Sequence, residues 1–381
     1  MSEFIAENKR TRILLGQLNS NGDCLFATTV AKQIKHDYPE CHLTWAIGSY
    51  CSKIIELNPY VDHIWEIPLK NVYESREKWK VFREEAIAKK NNNEFDEIFL
   101  VQFINENYLN FQGTLRSSIF KAYPKPITVS LEPVIVLGNE EIIRVKEFAK
   151  QHKLSSYKNV ILFECAPLTF QVAITPQIAY ELSIELLKLF PDTCFILSSS
   201  KRIESDYVNI IDGSILSLRE NAEVTKYCSL LIGCSSGITW ISTSSWAKKI
   251  PTIQFLDPKA IFLNSVVNDH EKHGLSTEHI VEITKFNNKS FINCLCEFLN
   301  NGIGSVKQKY HQKIPIGWQT YQHILYFYLK NNQFSYAKIF IATTRREFKS
   351  AKLTMIYLFS LLRFIFIKYP NLQLKKIGHN T

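Results

Sequence analysis

Short apolar runs alternate with longer segments of mixed polarity from Arg12 onward. Runs at 12–18, 42–48, 62–67 and 94–103 have the length of buried strands. Between them, residues 24–37, 50–57 and 71–90 have helical length and spacing. This alternation predicts βαβ units on a parallel sheet. Pro39 and Asn58-Pro59 end the first two helices, because proline cannot extend the backbone ladder.

The pattern restarts at 159–165. Thr175-Pro176 supplies N-cap and first-turn chemistry for a helix running to residue 190. Strands follow at 193–199, 209–212, 229–233 and 251–256, with helices at 219–228 and 237–247. A hinge between about 137 and 158, around a helix at 140–152, joins the halves. The expected architecture is α/β, with two Rossmann-like domains at 1–150 and 151–300. They face a cleft at the carboxyl ends of their strands, where such sheets bind ligands. Beyond residue 300 the strand signal stops, and 318–330, 334–349 and 351–368 look helical and aromatic-rich. Residues 301–381 therefore read as a helical extension.

Bulk properties agree with this division. A chain of 381 residues fits two domains with an appended segment. Its 46% hydrophobic content excludes a disordered chain. Residues 1–11 carry Glu3, Glu7, Lys9 and Arg10 with no apolar core, unlike a signal peptide. The nine cysteines include no CxxC, and the nearest pair, Cys294 and Cys296, fits neither a redox motif nor a zinc knuckle. Reduced, buried thiols in a cytoplasmic protein are expected.

The net charge of +9 is unevenly placed. From residue 301 onward there are thirteen Lys or Arg and a single acid, Glu347; residues 1–300 hold 32 bases against 35 acids. A basic tail suggests an anionic partner. Its interleaved Phe, Ile and Leu suit a lipid interface, and no reader motif argues for nucleic acid. Residues 353–362 lack charge, but ten residues fall short of the roughly 20 that span a bilayer. Two readings stay open: a helix packed on the body, or one lying on a membrane surface.

Two turns could carry chemistry. The first reads Leu18-Asn19-Ser20-Asn21-Gly22-Asp23-Cys24-Leu25, a strand ending in small polar residues before an apolar helix. Such a turn brings backbone close to a ligand and aims helix amides into the cleft. Asp23 is its one acid, and helix capping would also explain an acid there. The second reads Leu230-Leu231-Ile232-Gly233-Cys234-Ser235-Ser236-Gly237-Ile238-Thr239-Trp240. Its serines and the amides around Gly237 would make an anion nest suited to a diphosphate.

Together these features resemble the lipopolysaccharide heptosyltransferase family, glycosyltransferase family nine, over residues 11–285. Residues 13–29, ILLGQLNSNGDCLFATT, look like the family's opening strand, Gly-Asp turn and helix. Lys32 to Pro39 and Asn58-Pro59-Tyr60-Val61-Asp62 follow in the expected places. Residues 218–237, with Glu220, Ala222 and Cys228 before LLIGCSSG, look like the approach to its nucleotide-sugar loop; residues 251–258, PTIQFLDP, match its closing strand.

The resemblance implies a GT-B fold and an inverting transfer, with Asp23 as general base. It implies that Ser235, Ser236, Gly237 and Thr239 hold the donor diphosphate, with Asn21 and Gly22 forming an acceptor or phosphate turn. Glu164, Lys201 and Glu204 are lesser candidates for donor contacts. No metal or other cofactor is expected, and no DxD triplet is present. The implied partners are a nucleotide sugar and a glycolipid or polysaccharide acceptor, at the inner face of a bacterial membrane.

The sequence departs from the family in three places. Ser235 stands where an acid usually begins the loop, and Trp240 replaces a histidine. The stretch 164–176 lacks the family's lysine near the donor phosphates. A nucleotide-sugar epimerase and a non-catalytic sugar-binding or assembly protein are therefore the alternative readings. His270, His273 and His279, with no matching cysteine or carboxylate cluster, read as exposed loop histidines, not metal ligands.

Overall fold

In the computed structural model, which describes residues 10–71, 74–166, 174–257, 260, 262, 264–284 and 286–368, two parallel sheets carry the chain. The first contains β1 (Arg12–Gly16), β2 (His42–Gly48), β3 (His63–Ile67) and β4 (Glu97–Leu100), in the order β3-β2-β1-β4. The second contains β5 (Asn159–Glu164), β6 (Thr193–Ser198), β7 (Ile210–Asp212), β8 (Leu230–Gly233), β9 (Thr252–Phe255) and β10 (Ile280–Ile283), in the order β10-β9-β8-β5-β6-β7. In each half the first strand lies centrally, with a parallel neighbour on both sides. The crevice of such a doubly wound sheet opens at the carboxyl ends, beside β1 and β5. Both strands are covered on both faces, which is why they read as unbroken apolar runs.

In the first half, α1 (Asn21–Asp37) follows β1, α2 (Ser75–Asn91) precedes β4, and α3 (Leu115–Lys121) comes after it. The joint is α4 (Asn139–Gln151), whose Val145 and Phe148 pack with Val160 and Leu162 of β5. The second half adds α5 (Pro176–Leu189), α6 (Glu220–Val224), α7 (Gly237–Ile241), α8 (Val266–Lys272) and α9 (Asn288–Tyr310). The tail forms α10 (Trp318–Lys330), α11 (Phe334–Glu347) and α12 (Ser350–Lys368).

Three expected helices are shorter than the pattern suggests. The segment 50–57 is a single 3-10 turn, Ser52–Ile55, ended by Leu57 in left-handed backbone with φ of 62°. The helix expected to reach 247 stops at Ile241, where Ser242 and Thr243 turn their hydroxyls onto the carbonyls of Thr239 and Trp240. The segment 219–228 divides into α6 and a 3-10 turn at Thr225–Tyr227, with the Thr225 hydroxyl on the Ala222 carbonyl. The sequence reading did not find β10, α3, α8 or α9.

The halves share one apolar core. Phe26, Ala27 and Val30 of α1 pack in the same cluster as Ala222, Trp240, Ile241, Val266 and Ile280. A polar knot reinforces the joint. The buried guanidinium of Arg219 donates to Glu141 at 2.6 and 2.9 Å, to the Val136 carbonyl at 2.5 Å, and to the carbonyls of Lys53 and Glu56.

The tail returns to the first half. Tyr321, Tyr328, Tyr336 and Phe340 cluster with Phe111, and the Thr343 hydroxyl donates to the Tyr108 carbonyl at 3.0 Å. Packing therefore accounts for most of the extension. On α12 the side chains of Ile356 and Ser360 are buried, whereas Met355, Leu358, Leu362 and Phe366 are exposed. No helix of the described residues is long and apolar enough to cross a membrane. All nine cysteines are free thiols and eight are buried, as expected.

Candidate active site

The two turns singled out by the sequence lie against each other. A β-carbon on Gly237 would sit 3.6 Å from Asn21 Cβ, and one on Gly22 would sit 3.4 Å from Trp240 Cδ1. The first turn is held from below by Gln102, just past β4. Its Oε1 accepts from the amides of Leu18 and Asn19 at 2.8 and 3.0 Å, and its Nε2 donates to the Asn19 carbonyl at 2.5 Å. Sequence reasoning missed Gln102, because its partners lie more than eighty residues upstream.

Asp23 sits in the first turn of α1, close to the backbone amide of Ser20, the residue before the helix. Burial pushes the carboxyl up to about 7, outweighing the Ser20 amide, which favours the charged form. Asn21 accepts from the Cys51 thiol at 3.0 Å, which orients the rim of the turn.

The second turn is folded around Glu164, at the end of β5. Its carboxylate accepts from the Cys234 amide at 2.7 Å, the Ile238 amide at 3.0 Å, the Thr239 hydroxyl at 2.8 Å and the Ser236 hydroxyl. Ser235 has left-handed backbone, φ of 55°, and its hydroxyl donates to the Asn264 carbonyl. The hydroxyl protons of Ser235, Ser236 and Thr239 are thus all committed within the protein. The nest is built as its residue types suggest, and the anion seated in it is a side chain.

The remaining candidates lie elsewhere. Lys201 and Glu204 are exposed, and Glu204 lines an open cavity of about 1160 Å³ along edge strand β7. None of residues 235–239 lines that cavity. The segment 167–173, where the family's lysine is missing, lies outside the described residues, as do Pro258 and residues 369–381 of the tail. The histidine reading is corrected: His270 lies on α8 and is buried, because α8 packs its Val266 and Val267 into the shared core, and His273 and His279 are half-buried. Among the described residues no cluster of His, Cys, Asp or Glu could hold a metal ion.

Trp240 is the departure with the clearest physical result. Its indole is buried and meets the Phe26 ring edge-on, with centroids 4.7 Å apart. The loop is thereby fastened to α1 of the other half.

The sequence matches no family model and no curated protein. Among solved structures, the protein superposes on a family 9 glycosyl transferase from Veillonella parvula with a TM-score of 0.52, at 14% identity over 78% of this chain and 93% of that one. The fold is GT-B. The α/β architecture of two facing Rossmann-like halves expected from the sequence is the one observed. E. coli ADP-heptose lps heptosyltransferase II aligns with a TM-score of 0.48 and 11% identity, over 76% of this chain and 99% of its own. A putative UDP-N-acetylglucosamine 2-epimerase from Listeria monocytogenes aligns at 0.46 and 10%, over 85% and 97%.

Proposed function

We propose that the protein is an inverting, metal-independent glycosyltransferase. It would move a heptose-like sugar from a nucleotide-diphosphate donor to a lipopolysaccharide or other glycan acceptor. The observation that carries this reading is Asp23, a carboxyl raised to about 7 in the turn that follows β1, whose neighbours Asn21 and Gly22 lie against Gly237 and Trp240 of the opposite half. A base poised near neutral pH is suited to take the acceptor hydroxyl proton. The hydroxyl oxygen then bonds to the anomeric carbon as the bond to the diphosphate breaks on the far face, and the diphosphate leaves with the electron pair. Donor contacts in this reading come from the amides around Gly237, with Ser236 and Thr239 freed only if Glu164 is displaced.

One feature supports a second reading. Glu164 already fills the nest, as it would in a non-catalytic sugar-binding protein with a lapsed donor site. Thermal stabilisation by ADP, UDP and their sugar conjugates separates the two, since a ligand of the folded state raises the melting temperature. Absence of any response would refute the transferase.

The same reading gives α12 a role at an anionic membrane surface. It carries no acid, its flanks hold Lys349, Lys352 and Arg363, and its outer side exposes Met355, Leu358, Leu362 and Phe366. A basic helix with an apolar face lies in a lipid interface.

A further inference from the structure

Behind Trp240, away from the Asp23 turn, lies a second cavity of about 240 Å³ between the two halves. At roughly 30 Å³ per water it has room for about eight waters or a small metabolite. Arg116 of α3 lines it from the first half; Thr239, Thr243, Lys249 and His270 line it from the second.

Two of these side chains are buried with unmet hydrogen-bonding capacity. Arg116 is 1% exposed, and its guanidinium lies over the rings of Phe26 and Trp240, 4.8 and 5.4 Å from their centroids. Asp269 approaches Nε at 3.1 Å, but none of the three guanidinium nitrogens makes an aligned hydrogen bond among the described residues. His270 is 7% exposed, and its Nδ1 lies 3.0 Å from the Ser276 carbonyl. A carbonyl only accepts, so Nδ1 carries the proton. Burial pushes the imidazole down to about 4, so the ring is neutral and Nε2 is a bare lone pair. That Nε2 also has no partner among the described residues. A buried polar group without a partner is unfavourable, so a cavity with both an unmet guanidinium donor and a bare acceptor favours a ligand that meets both.

We infer that this cavity binds a small oxyanion carrying a hydroxyl, such as a phosphate group, with its oxygens on Arg116 and its hydroxyl donating to His270 Nε2. At the rim Lys249 is paired with Glu132 at 2.6 Å, so the pair adds no net charge there. The Thr243 hydroxyl proton is spent on the Trp240 carbonyl, so Thr243 shapes the cavity without donating to the ligand. Because Arg116 and His270 belong to different halves, the ligand bridges them. The cavity borders the turn proposed for transfer through Thr239, but Arg116 and His270, which would hold the ligand, take no part in transfer.

The probe is inorganic phosphate, titrated into the full chain at constant ionic strength and neutral pH, with melting temperature as the readout. Sulfate is the control, because it has the same shape and no proton to give His270. The expected result is a saturable rise with phosphate, half-maximal in the millimolar range, and at least a tenfold weaker response to sulfate. Thr243→Leu and, separately, Ser242→Leu fill the cavity without removing a charge. Each is expected to abolish the phosphate response while leaving any response to nucleotides intact. A hexose 1-phosphate distinguishes a phosphate ester from the free ion by binding more tightly. No saturable response, equal responses to both anions, or an undiminished response in both leucine variants overturns the inference.

Discussion

Phe26 and Trp240 meet at an interplanar angle of 80°, and through them α1 of one half grips α7 of the other. Edge-to-face aromatic pairs add about 0.5–1.5 kcal/mol beyond burial. Trp240→Ala would also open a void at the joint, so it is expected to destabilise the protein by about 3–5 kcal/mol. Denaturant unfolding measures this, and a loss below about 1 kcal/mol would show that the joint is held elsewhere.

Asp23→Asn is expected to lower turnover by about 100- to 10,000-fold while leaving nucleotide-induced stabilisation unchanged. The pH profile adds a second check. A base with a carboxyl near 7 loses activity as pH falls through that value, about tenfold per unit below it, and the variant should lack this limb. Normal turnover by the variant would assign the base to another residue.

The same carboxyl links folding to pH. Its folded value lies above its unfolded one, so protonated Asp23 favours the folded state, and that benefit disappears as pH rises from about 4 through about 7. Asp23→Asn lacks this dependence. The melting temperature of the variant minus that of the wild type should therefore rise between pH 4 and pH 8. A constant difference would place the titration elsewhere.

Glu164→Gln replaces one carboxylate oxygen with an amide that faces donors on the 234–239 turn. Charge-assisted acceptors that are buried and multiply bonded cost about 2–4 kcal/mol to compromise, so a clear fall in melting temperature is expected. An unchanged melting temperature would mean that Glu164 is not what folds the turn.

For the tail, Leu358→Ser with Leu362→Ser removes two exposed apolar side chains from α12. Binding to vesicles containing anionic lipid is expected to weaken by about tenfold or more, with the melting temperature unchanged. Binding should also fall as salt rises, because the basic flanks are screened. Unchanged, salt-insensitive binding would refute a membrane role for this helix.

Much of the fold was legible because it is local. β2 spans the same residues in the sequence pattern and in the structure, His42–Gly48, and α10 matches likewise. Buried parallel strands make unbroken apolar runs, and capping residues mark helix ends, so both leave traces over short windows. The short helices were less legible, since α3 and α8 are each seven residues long and leave little periodicity. The sequence pointed to both turns, and the structure shows them touching. It did not reveal what satisfies them. Gln102 under the first turn, Glu164 inside the second and Asp269 beside Arg116 act across dozens of residues, and no spacing rule connects them.

The returning tail bears on how the chain folds. Phe111 is 2% exposed, and two of the rings that cover it, Tyr321 and Phe340, lie more than two hundred positions later. A nascent chain leaving the ribosome would therefore present Tyr108 and Phe111 without their α10 and α11 partners until those helices had been synthesised. At about 5–20 residues per second that wait is on the order of ten seconds or more, long enough for a chaperone to engage the exposed patch.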